Sequence, residues 1–268
     1  MDQMSSRLVI GLQTFADITS WQTGQRLLAP LFASDALRPD KAATMGEVTA
    51  RHGVVVQMLA DCEPLWGRAA QLRAGNVSHS FAAPFSWRSK GKSKGHVSFP
   101  STDHRGKPVP GWLVFEARPS PGTDWLALFS DWCAALAPFA AMLHPAIHLE
   151  GSKGKSPVIT LADEISAATE AQFQAGTPWC KLTAGPLNST FSGLTNLAWA
   201  NYLGGSFAPE VDEAAIRRAG FDVDRQGNGC LIRVTPRITD VAADFASFED
   251  RRSALRSCFR EGLFLVAD

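Results

Sequence analysis

Four carboxylates crowd the short stretch 240–250: Asp240, Asp244, Glu249 and Asp250. Acids set this close together can share a proton in general acid–base work, or hold magnesium between them. A nuclease-type site would add a lysine, and after residue 156 the chain carries only Lys181. Glu249 and Asp250 also suit the first turn of a helix capped by Ser247, where negative charge meets the exposed N–H groups. Asp240 and Asp244 fit that role less well. The four are therefore taken as the partner-binding residues, an acidic edge facing another protein, with no catalytic residue assigned.

The other chemical constellations are incomplete. Gly154-Lys155-Ser156 matches the tail of a phosphate-binding loop, but that motif needs a glycine five residues earlier, where Leu149 stands. It also needs a helix at once, and Pro157 follows. His144 and His148 have the i, i+4 spacing of two ligands on a helix, yet Pro145 lies between them and no HExxH or neighbouring cysteine completes a set. Cys62, Cys133, Cys180, Cys230 and Cys258 are odd in number and widely spaced, without a CxxC pair. This excludes a zinc ribbon or disulfide framework and points to a reducing compartment. No serine sits in a GxSxG elbow. No metal and no cofactor are expected, and the chain is read as a non-enzyme.

Composition limits the rest. At 45% hydrophobic and 19% charged, the 268 residues are globular rather than disordered. Net charge is zero, which argues against nucleic acid or a membrane surface as partner. Basic residues are in excess up to 155 and acidic ones after it, a modest polarity compatible with a charged binding face. The basic segment 88–107 lacks the interleaved aromatics of a single-strand reader. Arg252, Arg256 and Arg260 recur at helical spacing and read as a solvated face. The apolar run 132–143 is broken by Pro138 and falls short of the roughly 20 residues of a membrane span. Leu8 to Leu12 is too short for a signal peptide. The expectation is a soluble, cytoplasmic chain.

The elements that must position these residues follow from periodicity. Strands are predicted at 7–15, 54–59 (buried), 77–87 and 111–117, with a loop over 88–110. Helices are predicted at 21–32, at 62–73 with Gly75 as its stop, and from Thr123. That last helix has a stripe of Trp125, Phe129, Trp132, Leu136 and Phe139, closed by Pro138. The Gly- and Lys-rich stretch 151–156 is a connector and a candidate subdomain boundary in what is read as a single domain. Beyond it come a strand at 157–160, a helix from a Thr160/Asp163 capping box to Phe173, and helices at 196–203 and 209–219. A hairpin over 221–235 and a final helix capped by Ser247 complete the chain. Helices and hairpins mix without a βαβ rhythm, which predicts an α+β fold with mixed or antiparallel sheets flanked by helices.

The segment 193–260 carries a resemblance. It reads GLTNLAWANYLGGSF, a Glu-containing helix, the hairpin ending GCLIRVTPRITDV, and FEDRRSALRSCFREGLF. This is similar to the C-terminal part of the immunity protein 52 family of bacterial polymorphic toxin and type VI secretion systems. Gly193, Asn196, Trp199, Gly204 and Gly205 carry the match best, followed by Gly229, Pro236, Asp240 and Arg252. The resemblance implies a protein that binds and neutralises a cognate secreted toxin, expected to be a nuclease of restriction-endonuclease-like fold. Two other readings stay open: an adaptor or chaperone for a secreted effector, and a small-molecule enzyme of unassigned class.

Overall fold

The computed structural model describes residues 7–75, 77–103, 105–146 and 193–264. The connector 151–156, the strand and helix expected over 157–173, His104, His148, Cys180 and Lys181 lie outside them. The chain divides into two compact units. One is residues 9–139; the other joins residues 1–8 to 140–268. Each is an open antiparallel arrangement of strands with helices, the predicted α+β class.

In the first unit the strands are β1 (Leu8–Thr14), β2 (Lys41–Thr44), β3 (Val54–Val55), β4 (Ala69–Ala74), β5 (Val77–Ala82), β6 (Phe85–Ser89), β7 (Ser93–Ser98), β8 (Ser101–Thr102), β9 (Pro108–Val109) and β10 (Gly111–Ala117). The sheet order is β1-β10-β7-β6-β2-β3, with β4–β5 and β8–β9 as separate hairpins. The pairs β10–β7, β7–β6, β6–β2 and β2–β3 are antiparallel. Side chains alternate. Leu113, Phe115, Val97, Phe85 and Trp87 are buried on one face, whereas Trp112, Lys94 and Arg88 belong to the other. Gly95 is required where it stands, because a Cβ there would run into the Trp87 indole.

Two helices complete this unit. Helix α1 (Trp21–Phe32) starts at Ser20, whose side chain accepts from the Thr23 amide, and buries Gly24, Leu27, Leu28 and Leu31 at helical spacing. Helix α2 (Trp125–Leu136) starts at Asp124 and buries Trp125, Leu128, Phe129, Trp132, Cys133 and Leu136. It stops at Ala137 in the left-handed region, ahead of Pro138, and Thr14 Oγ1 donates to the terminal Leu136 carbonyl at 2.8 Å. Trp132 meets Phe115 edge-on at 5.2 Å, and its indole N–H donates to the Leu27 carbonyl. A fully buried Trp satisfies its one donor this way.

Four expectations fail here. The three valines at 54–56 do not make a buried strand: β3 has two residues, and Val54 and Val55 are 52% and 67% exposed. Residues 62–73 are not a helix. A 3-10 segment, Leu59–Leu65, contains Pro64, and Gly67 at φ 59° turns the chain into β4. The strand 77–87 is two strands, β5 and β6. The loop 88–110 contains β7, in which Ser93, Gly95 and Val97 are buried and Lys94 is exposed; small inward residues disguise the alternation.

In the second unit β11 (Ala140–Pro145), β12 (Ala200–Leu203), β13 (Asp222–Gln226) and β14 (Gly229–Arg233) are ordered β13-β14-β12-β11, all pairs antiparallel. The predicted hairpin is β13–β14. The predicted helix 196–203 is instead an irregular approach to β12, because every residue of β11 and β12 is buried and the apolar run has no polar face to report. Asn201 fixes the approach: its side chain accepts from the Ala198 amide at 2.7 Å and donates to the Ala198 carbonyl at 3.0 Å. The predicted helix 209–219 begins later, as α3 (Glu213–Arg218) capped by Asp212, after a 3-10 turn, Gly205–Glu210, that contains Pro209. Two helices end the unit, α4 (Asp240–Ala243) and α5 (Phe245–Arg256). Among the described residues no helix is long and apolar enough to cross a membrane.

Candidate functional site

The acids of 240–250 sit on α4 and α5, and their positions follow from local backbone needs. The cap of α5 is Asp244, three residues before the expected Ser247. Asp244 Oδ1 accepts the Ser247 amide at 3.1 Å, while its own amide closes α4 onto the Asp240 carbonyl. One residue thus ends one helix and starts the next. Asp240 Oδ2 accepts the Arg237 amide at 3.0 Å and its Oδ1 meets Arg237 Nε at 3.2 Å. Glu249 pairs with Arg252 one turn on. Asp250 is exposed and makes no hydrogen bond or ion pair among the described residues.

The four acids therefore divide. Asp240 and Asp244 line an open groove of about 580 Å³, together with Pro236, Arg237, Ser247 and Arg251. Glu249 and Asp250 are not part of its lining. The Arg237 side chain is 81% exposed at the groove. Arg251 is fixed in the wall: Nε donates to the Val234 carbonyl at 2.9 Å, a terminal nitrogen reaches the Gly220 carbonyl, and the guanidinium lies 4.8 Å from the Phe221 ring centre. The groove presents both signs of charge, Arg237 and Arg251 against Asp240 and Asp244.

The arginine stripe expected to be solvated is consumed by the fold. Arg252 is only 2% exposed; it donates to the Leu197 carbonyl at 3.3 Å and lies over Phe248. Arg256 reaches Asn196 Oδ1 and covers Phe264. Arg260 lies beyond the helix end and pairs with Glu210 at 2.7 Å. Trp199 and Asn196, prominent in the 193–260 segment, serve the same structure. Trp199 donates its indole N–H to the Thr235 carbonyl, and its amide donates to His144 Nδ1 at 2.9 Å. That commits a buried His144 to the backbone.

Elsewhere in the second unit, Glu213 accepts from Arg225 at 2.7 Å and from Arg217 at 2.9 Å, and the Arg225 hydrogen bond leads in holding its carboxyl below the usual range. Burial pushes the Cys230 thiol up beside it. In the first unit the sequence offered no sign of a serine–histidine pair, because Ser86 and His96 meet only through the β6–β7 register. Ser86 Oγ lies 2.8 Å from His96 Nδ1, the Trp112 ring packs 4.7 Å from the imidazole, and burial lowers the His96 pKa against the opposing charge of Glu47. Such a pair is the start of a nucleophilic site, but Ser86 is only 3% exposed, which leaves little room for a substrate to reach it. The thiols of Cys62 and Cys133 are pushed up by burial, Cys62 to about 12, which leaves them protonated and inert. Among the described residues no group of three His, Cys, Asp or Glu is placed to hold a metal ion.

No family model matches the chain, and no curated protein matches it. Among solved structures, a T6SS protein from Pseudomonas aeruginosa is similar at 13% identity and a TM-score of 0.47, over 97% of this chain and 78% of its own.

Proposed function

We propose that this chain neutralises a toxin by binding it: a stoichiometric inhibitor of a cognate secreted toxin, with a nuclease as the expected target. Two features support the reading. The segment 193–260, which resembles the immunity protein 52 family, forms β12 to β14 and α3 to α5 of a single unit. The open groove beside α4 and α5 carries the reading furthest, because it is lined by charge of both signs. Charged pairs across such a contact speed encounter and select the partner. A protein loop placed there would meet Arg237, Asp240 and Asp244, with the exposed Asp250 on the same helix as Ser247 and Arg251.

The test is rescue. A toxin encoded beside this chain is expressed in bacteria with and without it, and the pair is co-purified. Survival with a one-to-one complex is the expected result. Complex formation without survival favours an effector adaptor, and neither survival nor complex overturns the reading. Within a rescuing pair, Asp250→Lys is expected to weaken binding without loss of stability, because Asp250 makes no hydrogen bond or ion pair among the described residues; Arg237→Gln, which removes the exposed charge, is expected to weaken binding too.

A further inference from the structure

The β2–β6–β7 region assembles something that the linear sequence hides. Register places Val55, Lys41, Arg88, Lys94 and Glu116 in one row across β3, β2, β6, β7 and β10. Adjacent strands lie about 4.8 Å apart, so three cations stand side by side within roughly 10 Å. They occupy the face opposite the buried Phe85, Trp87, Val97 and Phe115. The β6–β7 turn adds Lys90 and Lys92, and the Arg118 amide binds the Lys92 carbonyl.

Like charges directly opposite one another weaken a sheet, and this fold does little to offset them. Lys94 meets Glu116 at 3.4 Å. Arg88 Nε is 3.9 Å from Asp40 and has no hydrogen-bond partner, because the other Asp40 oxygen accepts the Lys90 amide at 2.6 Å. Lys41 and Lys92 donate to the backbone carbonyls of Ala50 and Asp35 rather than to carboxylates.

We propose that this row is a docking surface for an acidic segment of a protein partner, read in the order apolar, acid, acid, acid, base. The exposed Val55 would take the apolar residue and Glu116 the basic one. Protein rather than nucleic acid is favoured because Glu116 and Asp40 stand in or beside the row, where a phosphate chain would meet repulsion. Trp112, on the same face, already lies against His96 and stands four residues along β10 from the row. The long lysine stems absorb the mismatch between strand spacing and the roughly 6.7 Å same-face repeat of an extended peptide. The proposal is independent of the toxin reading, whose groove lies in the other unit.

A fluorescein-labelled peptide of about a dozen residues, alternating Glu with Ser and carrying Leu at one end and Lys at the other, is titrated with the full chain. A length-matched single-stranded oligonucleotide serves as competitor. The expected result is binding that weakens with salt, falls about tenfold in the Lys41→Gln/Lys94→Gln double variant, and is unchanged in Arg218→Gln. Amide shifts of Lys41, Arg88 and Lys94 in the wild-type chain report the same contact without any substitution. No binding, equal binding by the double variant with those amides unmoved, or displacement by the oligonucleotide at lower concentration than by unlabelled peptide would each overturn the proposal.

Discussion

The acids of α4–α5 and the cations of the β2–β6–β7 row are both dense charge clusters, and the fold treats them in opposite ways. On the helices a carboxylate is within reach of unpaired amides and of arginines one turn away. Asp244 becomes a cap, Asp240 binds Arg237, and Glu249 neutralises a buried Arg252. On the sheet a cation needs acceptors, and those in reach are few: Lys41 finds the Ala50 carbonyl, Lys94 finds Glu116, and Arg88 stands 3.9 Å from Asp40. A charge cluster near helix ends thus takes folding roles first and offers a partner what is left, whereas one laid across strands has fewer such demands on it.

That contrast can be broken by substitution. The largest effect belongs to Glu249→Ala, which removes the carboxylate paired with the buried Arg252 guanidinium and is expected to cost about 3 kcal/mol in denaturant melts; adding Arg252→Met should recover most of it. If Glu249→Ala melts like the parent, the acids are not structural and the comparison fails. Asp244→Ala, which removes a cap, is expected to cost about 1 kcal/mol. On the sheet, Lys41→Gln relieves repulsion and should stabilise the chain by about 0.3 kcal/mol; a clear loss would show that the row is part of the frame.

Acid separates the two units by pH rather than by size of effect. His96 has a lowered pKa from burial, so the unfolded chain binds its proton first. The stability it supports is present above about pH 6.5 and declines as pH falls. Glu213, lowered chiefly by Arg225, loses its contribution only further down, as carboxylates protonate from about pH 4. Hydrogen exchange followed against pH should show β6–β7 amides weakening before those of α3 and β13. The smallest effect is chemical: the partly exposed Cys258 should react with a thiol reagent while Cys62 and Cys133 stay silent until unfolding.

The sequence made α1, β10 and α2 readable because each has one buried face and therefore a period; β1 and the β13–β14 hairpin were readable from apolar runs and from the turn between Gln226 and Gly229. It misled at β12, where both faces are buried and a strand looks like any apolar run, and at 54–56, where three valines end at an exposed edge. It hid β7 because serine and glycine face inward there and lysine outward, a composition ordinarily found in loops. The candidate groove was half visible: the carboxylates are adjacent in sequence, but their caps and ion pairs depend on where α4 gives way to α5. The cationic row could not be read at all, since it exists only through a register that requires β7.

The unit built from residues 9–139 is one unbroken stretch of chain, whereas the other needs residues from both sides of it. During synthesis, which proceeds at about 5–20 residues per second, the sheet bearing the cationic row has all its strands several seconds before the last residues of the other unit are made. The first unit therefore has every residue of its own sheet before its companion can close, and like charge along the row disfavours contact between nascent chains in that interval.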